Sequence, residues 1–412
     1  MARGLREGAA FHKSDETYVS YTRKFIERSI ENGKITKDEA RLIQQYLSEI
    51  SSETGISGVR RYKIVVQLIG LRRYLPVFTE ATAPDLYMAI EDIKAAKKDD
   101  GSPMFKPNTI ADMIRFMKRF YLWLIENEYS RIPLVKVSKK IKPPAFERMT
   151  KTADQLLEEE EIKRMIEAAR TTRDRALIAV LYESGCRIGE IGTLTWKDVR
   201  FTENQTAALN TAGKTGKPRY IPLVSSRSYL AAWRADYPGK SDPDKPVFVT
   251  NNTHGPLQYA GVVKQLRVIA DRAGIEKHIT PHLFRHSRIT HLLRKGIPEP
   301  IIKKIMWGSL STGMLSTYGH LVDTDIDDAI GQMYGIKTGE KEKTDIMEPR
   351  QCPLCYSVWG PTLSRCGHCG APLTPEAAAT AESMQIDIAA HPEALQQMID
   401  ERIQEMKRKG EI

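Results

Sequence analysis

The chain has 412 residues, with 62 lysines and arginines against 52 acidic residues and a formal charge of +10. That length is too great for one ordinary core and implies two or three domains, while the moderate basic excess suits a polyanionic partner. The longest purely apolar stretches, such as residues 176–181, fall far short of the roughly 20 residues of a bilayer span, and Met1 leads into Arg3, Arg6 and Glu7 rather than an apolar signal. This speaks against a membrane or secreted protein, so a soluble cytoplasmic one is expected.

From Ile35 to about Glu128 the pattern predicts four helices, the first opened by a capping box in which Thr36 is followed three residues on by Glu39. The second, over 59–75, sets Arg60, Arg61, Lys63, Arg72 and Arg73 beside an apolar stripe of Ile64, Val65, Leu68, Ile69 and Leu71. The fourth, over 109–128, repeats the arrangement with Arg115, Lys118 and Arg119. Such positions suit either a solvated face over a core or contacts with phosphate. Residues 1–142 therefore read as a helical N-terminal domain. A stretch with Lys139, Lys140, Lys142, Pro143 and Pro144 and few apolar residues leads out of it, and 143–152 is expected to be a basic linker.

Beyond the linker, residues 153–336 change pattern. Helices are predicted at 153–169 and 173–183, then two short strands between Thr206 and Leu223, broken by Gly213-Lys214-Thr215-Gly216-Lys217-Pro218 in the manner of a hairpin. Helical patterns resume at 225–237, 259–273, 281–295, 299–307 and 323–334. The fold class is thus mainly α with a small β-sheet, α+β. A charged stretch over 337–350 reads as a second linker, 351–372 as a cysteine module, and 373–412 as a tail of one or two helices.

Two arginines stand where chemistry can be argued. Attack on a phosphodiester needs a nucleophile, cationic donors around the non-bridging oxygens and an acid for the departing hydroxyl. Arginine serves the second purpose because its planar fork gives two charge-assisted bonds to phosphate and stays protonated at neutral pH. Arg187 lies in Tyr182-Glu183-Ser184-Gly185-Cys186-Arg187-Ile188-Gly189-Glu190-Ile191, with Leu194, Trp196 and Asp198 following; Arg285 lies in His282-Leu283-Phe284-Arg285-His286-Ser287. A third box, Ser316-Thr317-Tyr318-Gly319-His320, closes the series.

In this order the three boxes resemble those of the tyrosine recombinase (phage integrase) family, and the resemblance covers about 153–335. It implies that Tyr318 attacks the scissile phosphate, leaving a 3′-phosphotyrosyl link and a free 5′-hydroxyl, with no metal or cofactor for the chemistry. A phenol with an ordinary pKa of about 10 is a poor nucleophile at neutral pH, so flanking positive charge and a proton acceptor must assist it. His282 is the expected helper, as general base or phosphate donor. Lys214 matches the family's lysine that protonates the leaving 5′-oxygen, with Lys217 as a second lysine at the same turn. Glu190, one helical turn after Arg187, is placed to orient the site from behind. The family usually has histidine or tryptophan nine residues before the nucleophile; here Trp307-Gly308-Ser309 puts Ser309 at that spacing, so Trp307 or Ser309 fills the position.

Cys352-Pro353-Leu354-Cys355 and Cys366-Gly367-His368-Cys369 have the spacing of two knuckles that hold one structural zinc through four thiolates. Four protein ligands leave no position for a catalytic water, so the metal would stabilise a ribbon too small to fold on its own core. The resemblance further implies that the N-terminal domain is a core-binding domain, that the partner is double-stranded DNA, and that recombination of two duplexes brings four subunits into a homotetrameric synapse. Two other functions share the fold: a DNA-binding regulator without turnover, and a relaxing enzyme like the type IB topoisomerases.

Overall fold

The computed structural model describes residues 11, 13–147, 152–202, 206–212, 218–321, 346–390 and 392–409. They fall into two units, 12–150 and 1–11 with 151–412.

In the first unit, Ser14 caps α1 (Asp15–Glu31) by accepting from the Thr17 amide, a helix the sequence reading did not foresee. The capping box of α2 (Lys37–Thr54) forms in full, with the Thr36 amide donating to Glu39 Oε2 and the Glu39 amide to Thr36 Oγ1. Glu39 is also buried, and it receives the Phe78 amide and the Arg72 guanidinium that follows α3 (Gly58–Leu71). Arg72 is therefore a core partner rather than a surface cation. With α4 (Ala83–Ala95), α5 (Pro107–Glu126) and the short α6 (Leu134–Ser138), these helices enclose Ile43, Val65, Leu68, Phe78, Leu86 and Phe120.

Two of the basic residues of α5 instead bond carbonyls of the chain's own following segment. Lys118 Nζ donates to the carbonyls of Ser138 and Ile141, both at 2.7 Å, and Arg115 donates to that of Pro144 at 2.7 Å while its guanidinium lies 3.7 Å from the Phe146 ring centre. Asn108 exchanges hydrogen bonds with the Glu147 backbone. The start of the expected linker is thus strapped along α5, held by buried Ile141 and leaving Lys139, Lys140 and Lys142 exposed.

In the second unit, α8 (Thr172–Ser184) is the central element. Its run Ala176-Leu177-Ile178-Ala179-Val180-Leu181 is buried throughout, as a helix apolar on all sides must be. Packed around it are α7 (Glu159–Ala168), α10 (Arg227–Ala235), α12 (Pro281–Arg294) and β3 (Pro218–Leu223). The sheet is antiparallel in the order β1 (Val199–Phe201), β2 (Ala207–Ala212), β3, with Leu209 opposite Ile221. Short α9 (Ile188–Gly192), α11 (Tyr259–Arg272), α13 (Glu299–Trp307) and a 3-10 turn (Met314–Leu321) complete the site region. The α+β class read from the sequence holds.

The cysteine module contributes β4 (Arg350–Gln351) paired with β5 (Val358–Trp359), followed by α14 (Pro375–Ala390) and α15 (Pro392–Lys409). It packs directly on α10: the Tyr229 hydroxyl bonds Thr362 Oγ1 at 2.6 Å, and Ser228 Oγ accepts the Gly360 amide at 2.9 Å. A side chain at Gly360 would collide with the Tyr229 ring, its Cβ falling 2.2 Å from a ring carbon. The hairpin turn 213–217, the expected helix over 323–334 and most of the second linker lie outside the described residues. Among the described residues no helix is long and apolar enough to cross a membrane.

Candidate active site

Helix α8 ends at Gly185 in the left-handed region, φ +55°. Glycine is required there twice over, since a Cβ would also meet the Met306 Sδ and Cε at 2.7 Å. The chain then turns so that Arg187 caps α9, its amide donating to Glu190 Oε2 at 2.7 Å and its Nη1 to Glu190 Oε1 at 3.3 Å. The Arg187 side chain is 39% exposed against 7% for Glu190. The carboxylate is the anchor and the guanidinium reaches outward.

On α12, Thr280 accepts the Leu283 amide and Pro281 starts the first turn, so His282, Arg285 and His286 follow at i, i+3 and i+4 on one face. Arg285 is buried, donating Nη1 to the Gly185 carbonyl and Nη2 to the Met306 carbonyl at 2.8 Å. Burial, and then the charge of Arg187, lower its pKa to about 10, which still leaves it a cation at neutral pH. The last carbonyls of a helix lack intrahelical partners and carry the negative end of its dipole. Those of α13 are met by two arginines, since Arg219 also donates to the Met306 carbonyl at 2.6 Å and to that of Ile305 at 3.0 Å.

Tyr318 sits in the 3-10 turn with 4% of its surface exposed. Burial raises its pKa, while Arg285 and then Arg187 pull it back down. Its ring lies 5.3 Å from that of His286 and 6.4 Å from that of Trp307, centre to centre. Trp307 in turn faces the Arg285 guanidinium at 5.2 Å. Ser309, by contrast, shares a hydrogen bond with Ser311 at 3.0 Å. His282 keeps its ring at the surface, 5.8 Å from that of His286; partial desolvation by the protein behind it, then Arg285 and Arg187, hold its pKa below the usual histidine value.

The structure thus gathers Arg187, Glu190, His282, Arg285, Trp307 and Tyr318, leaves Ser309 turned to its own loop, and does not describe Lys214 or Lys217. Two further residues belong with the cluster. His286, beside the Tyr318 ring, stood inside the quoted second box without a role. Arg219 carries a strand signal: residues 219, 221 and 223 alternate on one face of β3, and Ile221 and Leu223 are buried, so parity puts the arginine inside.

Residues 155–324 match the model of the phage integrase family. The chain thus carries a phage integrase family domain, of the kind found in tyrosine recombinases. It is 27% identical to the tyrosine recombinase XerC of Oceanobacillus iheyensis over 246 residues, 57% of this chain and 75% of that protein. Against XerD of Listeria monocytogenes it is 25% identical over 306 residues, 71% of this recombinase and 98% of the relative. A lambda integrase (75–356) dimer bound to a COC' core site aligns at a TM-score of 0.51 and 17% identity, covering 68% of this chain and 94% of that one. Lambda integrase as a tetramer bound to a Holliday junction aligns at 0.50 and 17%, covering 67% and 76%. At such identities the solved structures share the fold. The domain match and the two relatives together support a site-specific recombinase, an enzyme that breaks and rejoins DNA strands.

Away from that centre, the recombinase brings Cys352, Cys355, Cys366 and Cys369 together with their four sulfurs within 4.8 Å of one another. Cys352 and Cys369 sulfurs are 3.5 Å apart, as are those of Cys355 and Cys366, close to the roughly 3.8 Å edge of a tetrahedron with metal–sulfur bonds of about 2.3 Å. The two knuckles repeat one backbone design. The Tyr356 amide bonds the Cys352 carbonyl as the Gly370 amide bonds that of Cys366, and both residues take positive φ, +57° and +75°. Glycine accepts that conformation freely; Tyr356 adopts it as a strained equivalent. The cluster fits a metal ion held by thiolates.

Proposed function

We propose that this recombinase cuts and rejoins double-stranded DNA through a 3′-phosphotyrosyl intermediate at Tyr318. The carrying observation is a buried phenol on which Arg285 and Arg187 act as the two largest favourable charges. In the forward step the phenolic oxygen forms a bond to phosphorus and the bond to the 5′-oxygen breaks. The phenolic proton passes to His282, whose depressed pKa leaves it neutral and able to accept it near pH 7. Lys214, or Lys217 from the same turn, supplies a proton to the departing 5′-oxygen. Arg187 and Arg285 hold the non-bridging oxygens, and rejoining is the reverse with a 5′-hydroxyl as nucleophile. Trp307, close to both Arg285 and Tyr318, fills the position where the family usually has histidine or tryptophan, and Ser309 does not.

Two duplexes must be exchanged, so four copies assemble on DNA, as lambda integrase does on a Holliday junction. The four cysteines hold one structural zinc that stabilises the module, with no open position and no part in strand cleavage.

The test is a nicked suicide duplex, which traps the covalent adduct. Wild-type protein should form a denaturant-stable adduct bearing a free 5′-hydroxyl, and Tyr318→Phe should lower it by about 10⁴-fold or more while binding is kept, as removal of a nucleophile does. Binding without adduct in the wild type would leave a DNA-binding regulator; relaxation of supercoils without site preference would point to a topoisomerase-like enzyme.

A further inference from the structure

We propose that Arg219 is a positioning residue for strand cleavage, the group that locks the two phosphate-binding arginines into one unit; this rests on the phosphotyrosyl reading above. Arg219 is 4% exposed and is the second residue of β3. One end of its fork meets Glu190 Oε2 at 2.5 Å, and the other meets the Ile305 and Met306 carbonyls. Glu190 holds Arg187 by both its amide and its guanidinium, and the Met306 carbonyl also holds Arg285. A continuous chain results: Arg187, Glu190, Arg219, the Met306 carbonyl, Arg285.

The chemistry of that chain is a matter of how one carboxylate is shared. Glu190 lies between two guanidinium groups, one buried and one reaching outward. While Arg219 satisfies Oε2, Arg187 is held to Oε1 by a longer contact of 3.3 Å and keeps most of its fork for a phosphate. Without Arg219, a nearly buried carboxylate keeps Arg187 as its direct ion-pair partner and draws that guanidinium inward, away from where a scissile phosphate must sit. At the same time the end of α13, and with it Trp307, loses one of its two arginine donors. Arg219 touches neither the phosphate nor Tyr318; it acts by deciding which way Arg187 points and where α13 ends.

Adduct formation on the suicide duplex tests this, with an ordinary scissile phosphate and with a methylphosphonate, which is uncharged. Arg219→Met should slow adduct formation about 10²-fold on the ordinary phosphate, the penalty expected for misplacing a binding group by about 1 Å. On the methylphosphonate, where Arg187 has little charge to meet, the penalty should shrink at least tenfold. Adding Glu190→Gln to Arg219→Met removes the unpaired carboxylate and should restore at least tenfold of the loss, a coupling that two independent losses would not show. Equal penalties on both substrates, or a double variant no faster than Arg219→Met, overturn the proposal. Should Arg219→Met fail to fold, Arg219→Gln decides: it keeps a hydrogen-bonding side chain but puts no cation against Glu190, so a loss on the charged substrate alone supports positioning and an equal loss on both overturns it. Wild-type protein that yields no adduct overturns the phosphotyrosyl reading instead, and so is told apart from failure of this one.

Discussion

At the recombinase centre, Arg219 and Arg285 are buried among α8, α12, α13 and β3 and donate to main-chain carbonyls that the fold already holds in place. The cysteine module's apolar cluster, among the described residues, is Cys352, Cys366 and Ala371, with Cys355, Trp359 and Leu373 packed against them. The first region can carry uncompensated positive charge because a large core pays the conformational entropy of ordering it. The second is too small to do so, and its thiols converge on a point that a metal would occupy. Reactive side chains are thus held in two ways, by packing around them or by a ligand among them, and the two should fail differently.

Metal removal should give the largest effect. A chelator at neutral pH, or Cys366→Ser, is expected to release one zinc per chain and unfold the module, since structural zinc binding in isolated fingers is worth about 10 kcal/mol or more. Metal analysis and a two-step thermal melt would show it, with the catalytic transition shifted only slightly through the lost contacts on α10. A single transition unaffected by chelation would put the module with the packed region. On the packed side, Trp307→Ala should slow adduct formation about 10- to 100-fold by loosening Arg285 and Tyr318, a loss of about 1.4 to 2.8 kcal/mol in barrier. Ser309→Ala should change it less than about threefold; the reverse order would place Ser309 in the chemistry.

The smallest effect is a pH dependence inside the packed region. His291 on α12 is buried, bonds the Tyr182 hydroxyl at 2.9 Å, and faces Glu158, Glu159, Arg288, Arg294 and Lys295. Burial, the largest cause, lowers its pKa from 6.5 to about 4. Because the folded value is depressed, protons bind the unfolded chain first: stability is full above the unfolded pKa and falls as pH drops from 6.5 toward 4. Between pH 7.5 and 5.5 the loss should be about 1 kcal/mol. Denaturant titrations of wild type and His291→Asn at the two pH values should differ by that amount; equal slopes would show the ring to be solvated.

Much of the architecture was legible because it rests on local rules. The capping box at Thr36 and Glu39, the all-apolar run at 176–181 and the two short strands on either side of a Gly- and Lys-bearing break each follow from local sequence alone. The three boxes containing Arg187, Arg285 and Tyr318 were equally legible as an ordered set. Helix α1 was missed because charged residues crowd among its few apolar ones, and the cations of α5 were misjudged because nothing local says that Lys118 and Arg115 donate to carbonyls some twenty to thirty positions later.

What the sequence by itself determined here is the list of groups: two boxed arginines, a tyrosine, histidines, and four thiols at knuckle spacing, together with the helices that carry them. Tertiary structure alone decided their sharing. It set Trp307 rather than Ser309 against Arg285 and Tyr318, bound Arg219 to Glu190, and gave one Met306 carbonyl to two guanidinium groups. The physical reason is that hydrogen bonds and ion pairs of this kind join elements far apart in the chain, and their partners are chosen by burial, where an unmatched charge is costly, rather than by sequence spacing.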